Sequence, residues 1–185
     1  MSKKYELVVD DTITFWGWKL FRIRALISFG SVDAGDLGGY IYTEDNLSQK
    51  GDAWVLGNAK VLGNAKVSGD AWVWGNAKVS GDAWVSGNAK VSGDAWVSGN
   101  AEVSGNAEVL GDAKVSDFED VIVFKNHWSS GRHFTYTKSN KMWRVGCFYG
   151  TGQELIDKAY RDSEKSGNFY KAYVEFIASL EGLGE

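Results

Sequence analysis

Between Val121 and Thr151 the chain has no aspartate or glutamate, yet it carries Lys125, Arg132, Lys138, Lys141 and Arg144 beside His127 and His133. Aromatic residues interleave with these groups: Phe124, Trp128, Phe134, Tyr136, Trp143, Phe148 and Tyr149. Cations next to aromatic faces can hold phosphates, stack bases or dock an acidic protein surface. A pairing of RHFTYTK with KMWRV on adjacent strands would bring part of the set onto one sheet face. Arg132, Lys141 and Arg144 are the preferred contacts and Trp143 the stacking surface; Lys125, His127, His133 and Lys138 complete the candidate binding set. A competing role is internal charge matching, because residues 152–185 hold seven acids against four bases. The glycines around Thr151 could also offer backbone amides to an anion, although a Thr151–Glu154 capping box already accounts for the threonine.

The same residue types do not assemble a catalytic set. Neither histidine has a serine or cysteine nucleophile beside it in a recognisable motif; Ser129 and Ser130 suit a turn, and Cys147 within RVGCF is expected to be buried and inert. One cysteine among 185 residues allows no internal disulfide and no cysteine-rich metal site. No catalytic residue, metal or cofactor is therefore expected. The net charge of −4 argues against a general nucleic-acid binder. No apolar run nears the roughly 20 residues that span a bilayer, and the start, MSKKYELVVDDT, lacks the apolar segment of a signal peptide. No membrane association is expected.

The elements that must position this set are written in a repeat. Glycine recurs every six residues from Gly51 to Gly111, giving eleven hexads that end at Ser116. In each, alanine and valine stand two apart and share one side of a short strand, while the residue between them points away. The Gly-Asp or Gly-Asn pair supplies the bend. Strand and bend at this spacing close a coil of parallel strands, a solenoid. Trp54, Trp72, Trp84 and Trp96 fall at the outward position, where exposed indoles suggest a surface or subunit contact.

The GDA/GNA tract resembles the hexapeptide repeat of left-handed parallel β-helices, in which three hexads make one triangular coil. On that resemblance Trp72, Trp84 and Trp96 lie on three different walls, and only Trp54 and Trp72 stack. Enzymes of this type are mostly acyltransferases that use a wall histidine as base, and a carbonic-anhydrase branch holds zinc with histidines. Residues 51–116 contain no His, Cys, Tyr or Thr, which speaks against both chemistries. The nine-residue calcium-binding repeat is absent.

The expected architecture is mainly β, a left-handed parallel β-helix with an N-terminal β-hairpin cap and a small C-terminal α+β domain. Residues 1–38 form the cap, with a hairpin around Gly17; 39–118 form the solenoid, opening on a degenerate coil where Ile41 and Leu47 keep the register of Ala53. Residues 119–185 form the last module, with strands at DVIVFK, RHFTYTK and MWRVGCF and two helices, the second burying Phe169, Tyr173, Phe176, Ile177 and Leu180. YELVVDD, FRIRAL, AGDLGGYIY and MWRVGCFYGTGQEL around the repeat resemble hexapeptide-repeat proteins of bacteriophages and prophages. That resemblance implies a phage-derived protein of the bacterial host cytoplasm, with the virion as the alternative. The basic aromatic strands and the missing catalytic set point to non-catalytic binding of a host protein or phosphate-bearing ligand, and the resemblance adds antagonism of host defence; a virion structural role and acyl transfer are the alternatives. The outward tryptophans favour a homo-oligomer, and the resemblance to other left-handed β-helices implies a trimer.

Overall fold

The computed structural model describes residues 3–183. The hexads fold into a parallel β-solenoid. Its strands are two residues long, an outward residue followed by the inward valine, and partners along each ladder differ by 18 residues. Three walls result. The first stacks β4 (Trp54–Val55), β7 (Trp72–Val73), β10 (Lys90–Val91) and β13 (Glu108–Val109); the second β6 (Lys66–Val67), β9 (Trp84–Val85) and β12 (Glu102–Val103). The third runs β5 (Lys60–Val61), β8 (Lys78–Val79), β11 (Trp96–Val97) and β14 (Lys114–Val115). Every alanine and valine of the tract lies in one narrow core.

Each bend is a close approach of backbones. Gly87 has φ +65°, and a Cβ there would sit 2.9 Å from the backbone nitrogen of Gly105 one coil on. Only glycine meets both the left-handed conformation and the contact. The Asx residues beside the glycines ladder along the edges, Asn64 Nδ2 donating to Asp82 Oδ1 at 2.9 Å and Asn76 Nδ2 to Asp94 Oδ1 at 3.1 Å. Their work is structural.

The ladder has a direction, and the two ends of the solenoid differ because of it. Amides donate to carbonyls of the following coil, as Trp84 N does to Ala101 O at 2.9 Å. The first coil therefore presents free carbonyls and the last coil free amides, and buried backbone groups need partners. Donors close the first end: Lys4 Nζ to the carbonyls of Gly51 and Ala53, Tyr5 OH to Leu47 O, and Asn46 Nδ2 to Gly63 O and Ala65 O. Acceptors close the last: Thr135 Oγ1 takes Glu108 N at 3.0 Å, Ser139 Oγ takes Lys114 N at 2.8 Å, and Asp120 Oδ2 takes Ser116 N at 2.7 Å.

At the N-terminal side β1 (Tyr5–Phe15) and β2 (Trp18–Ala25) form the expected hairpin, turning at Trp16 and Gly17, both with positive φ. β2 pairs antiparallel with β3 (Leu37–Ile41), which runs parallel to β5, so the hairpin extends the third wall to seven strands. It is more than an end cap. Val9, Asp10 and Asp11 bulge out of β1, and the tip lies along the wall, with Trp16 5.0 Å from Trp96 and Leu20 buried with Tyr40 and Leu62.

The degenerate coil keeps its place but not its register. Ile41 pairs with Val61 and Leu47 with Val67, so both take the valine site rather than the alanine site. The corner between Leu47 and Gly51 has two more residues than its repeat counterparts, and Gln49 there accepts the amide of Lys4 at 2.8 Å.

The C-terminal module is an antiparallel meander of β15 (Val121–Lys125), β16 (His133–Thr137), β17 (Met142–Val145) and β18 (Phe148–Thr151), followed by α1 (Gly152–Asp162) and α2 (Glu164–Gly182). MWRVGCF is two strands, not one, because Gly146 at φ +57° turns the chain. The Thr151–Glu154 capping box opens α1 as expected. In α2 the buried side is Tyr170, Tyr173, Val174 and Ile177; Phe176 and Leu180 face outward, a correction of about half the expected stripe.

Candidate functional site

Alternation along the meander decides which of the basic and aromatic residues can meet. Phe124, Phe134, Tyr136 and Trp143 point to the helices and make the module's own core with Leu155, Ala159, Tyr170 and Ile177. Trp143, expected as a stacking surface, is 2% exposed and unavailable to a ligand. The opposite face, with Thr135, Arg144 and Tyr149, lies on the last coil, where the Tyr149 hydroxyl donates to Leu110 O at 3.2 Å.

The eight candidate residues separate accordingly. Arg132, His133 and Arg144 line one cleft of about 420 Å³ between the sheet and the first wall, together with Lys90, Asn106, Glu108 and Gly146. Lys125 is exposed as the cross-strand neighbour of His133. His127 packs edge-on to Trp128 and Phe169, each at 5.3 Å. Lys141 pairs with Glu181 at 3.6 Å, which is the sheet-to-helix charge match. Lys138 lies elsewhere, lining a hollow with Phe118 and Leu180. Its charge acts on Asp120: burial works against that carboxylate, but hydrogen bonds from Ser116 and Asp117 and the charge of Lys138 hold it below the usual range.

Within the cleft Glu108 is the one carboxylate. Arg144 Nε donates to its Oε2 at 2.7 Å, and Lys90 Nζ stands 3.5 Å from Oε1. Among the described residues Arg132 and His133 form no ion pair. Lys90, Arg132 and Arg144 thus outnumber Glu108 by two charges before His133 is counted. A concave surface with surplus cations, two of them forked guanidinium groups, suits a phosphate or carboxylate. Lys90 and Glu108 are the charged members that sequence reasoning missed. Their 18-residue spacing, the coil period, was the available signal.

The outward tryptophans differ from one another. Trp54 is 1% exposed beneath Tyr5 and Phe29, so it belongs to the N-terminal core and not to a surface. Trp84 is 49% exposed, Trp96 is covered by Trp16, and Trp72 is half-buried. Trp72, Trp84 and Trp96 do stand on three walls. Cys147, expected to be buried, is exposed in the β17–β18 turn. Among the described residues no group of three or more His, Cys, Asp or Glu is placed to hold a metal. No family model matches the chain, and no curated protein matches it.

Proposed function

We propose that this protein is a non-catalytic binding protein that captures a phosphate-bearing ligand in the cleft between the solenoid and the C-terminal sheet. The observation that carries the reading is the surplus of positive charge around Glu108 from Lys90, Arg132 and Arg144. The solenoid supplies a rigid wall and the meander a second one, so the cations are held without a folding step on binding. The resemblance to phage hexapeptide-repeat proteins supports a phage-derived role in the bacterial host cytoplasm, where sequestering such a ligand would blunt a host response.

The test is calorimetric titration of the full chain with pyrophosphate at low and high salt. Exposed charges are screened beyond about 8 Å at physiological ionic strength, so affinity falls as salt rises. Arg132→Ala, alone and combined with Arg144→Ala, abolishes binding with an unchanged circular dichroism spectrum. A Lys60→Ala/Lys78→Ala double variant, on the third wall, keeps it. Retention of binding by the arginine variants and its loss in the lysine variant would move the working surface to the solenoid and end this reading.

A further inference from the structure

The cationic cleft borders an apolar groove across Lys90. Leu56, Trp72, Trp74 and Lys90 enclose about 330 Å³ on the same wall, and Lys90 lines both hollows. In the ladder Lys90 lies between Trp72 on one side and Glu108 on the other. Two indoles and an ammonium therefore follow one another along the first wall, and two guanidinium groups face its end from the C-terminal sheet. Trp72 to Glu108 is two strand spacings, about 10 Å, the scale of one nucleotide.

The groove is also where the repeat departs from itself without an internal cause. The last hexad position is serine in seven hexads and large and apolar in four, at Leu56, Leu62, Trp74 and Leu110. Leu62 is explained by the hairpin, which buries it with Leu20, and Leu110 is half-buried on the last coil, which the meander covers. Leu56 and Trp74, 18 residues apart and so in one column, are covered by neither, and Leu56 is 38% exposed. The indoles of Trp84 and Trp96 donate to Ser68 and Ser80, each 16 residues earlier at 3.0 Å. The residue 16 before Trp72 is Leu56, which leaves apolar lining where the other walls have a hydroxyl.

We infer that the ligand is a free nucleoside phosphate, its base against Trp72 and Trp74 and its phosphates on Lys90, Arg132 and Arg144. The inference rests on the anion-binding reading of the cleft and adds the class of the ligand. Aromatic platforms accept any base through its π-face, while guanidinium groups fix phosphate oxygens. A bare anion would leave the groove empty, and a neutral nucleoside would leave Arg132 and the surplus positive charge around Glu108 unmatched.

The experiment compares ADP, adenosine, pyrophosphate and a single-stranded oligonucleotide on the intact protein by calorimetry and tryptophan fluorescence. ADP binds at least about tenfold tighter than pyrophosphate or adenosine, the increment that stacking one base supplies, and quenches indole emission. Trp74→Ser and Leu56→Ser restore the repeat's own residue and so keep the coil. They bring ADP affinity down to that of pyrophosphate and leave pyrophosphate binding unchanged. ADP binding no tighter than pyrophosphate, or an ADP preference that survives both serine variants, overturns the base assignment while the anion site stands. An oligonucleotide preferred to ADP overturns the free-nucleotide assignment. Absence of pyrophosphate and ADP binding alike removes the anion site itself.

Discussion

Among the described residues Lys4 is the one buried side chain of a charged type. It is 2% exposed, donates to Gly51 O and Ala53 O at 3.1 and 2.9 Å, and stands 4.8 Å from the centre of the Phe29 ring. Burial lowers its pKa to about 8, with Asp52 and Asp70 acting in the opposite direction. The unfolded chain holds this proton up to about pH 10.4. Between those limits the unfolded state binds more protons than the native state, so this group makes stability rise with pH. The gain across the window is about 3 kcal/mol. Urea unfolding of the wild type and Lys4→Met below pH 8 and near pH 10 checks it: the difference between the two should move in favour of the wild type as pH rises. Taking the difference cancels the raised tyrosines, Tyr5, Tyr136, Tyr149 and Tyr170, which act on both proteins. A gap that stays constant would show that the carbonyl contacts hold the ammonium at its ordinary value.

At the scale of elements, two-residue strands survive because each is one rung of a ladder closed at both ends by groups of the opposite hydrogen-bonding sense. The meander's polar face acts as the terminal acceptor layer, and its apolar face is left for its own helices. Thr135 is 1% exposed, and its hydroxyl accepts the Glu108 amide. Thr135→Val keeps shape and removes the acceptor, which should cost about 1–3 kcal/mol for the orphaned amide. Thr135→Ser restores an oxygen and should recover most of it. Hydrogen exchange gives the local readout: the Glu108 amide should lose protection in the valine variant and regain it in the serine variant. Equal protection in all three would mean that the end of the ladder does not depend on this contact.

For the whole molecule the three walls have different fates. The hairpin tip lies on the third, and the first carries the groove and the cleft. Self-association, expected from the outward tryptophans, has the second wall to use, where Lys66, Trp84 and Glu102 form one column. Sedimentation at micromolar concentration should show an oligomer, and Trp84→Lys should shift it to monomer without loss of secondary structure. A monomeric wild type would leave Trp84 without that role.

The solenoid was legible in the sequence because its physics is local and periodic. A glycine every six residues with alanine and valine two apart specifies bend, strand and inside face, and each coil repeats the choice, so no distant residue can alter it. The hairpin around Gly17 and the cap of α1 are likewise short-range. Register at the ends was not legible, since Ile41 and Leu47 take the valine site only because two extra residues at the Lys50 corner lengthen one turn. The candidate site was half legible. Composition marked residues 121–151, but strand alternation, and which face the helices cover, turned Trp143 inward and Arg144 outward. Lys90 joined the arginines only through the docking of the meander on the last coil. Charge content is carried by the chain; which charges share a cleft is decided by packing between segments far apart in sequence.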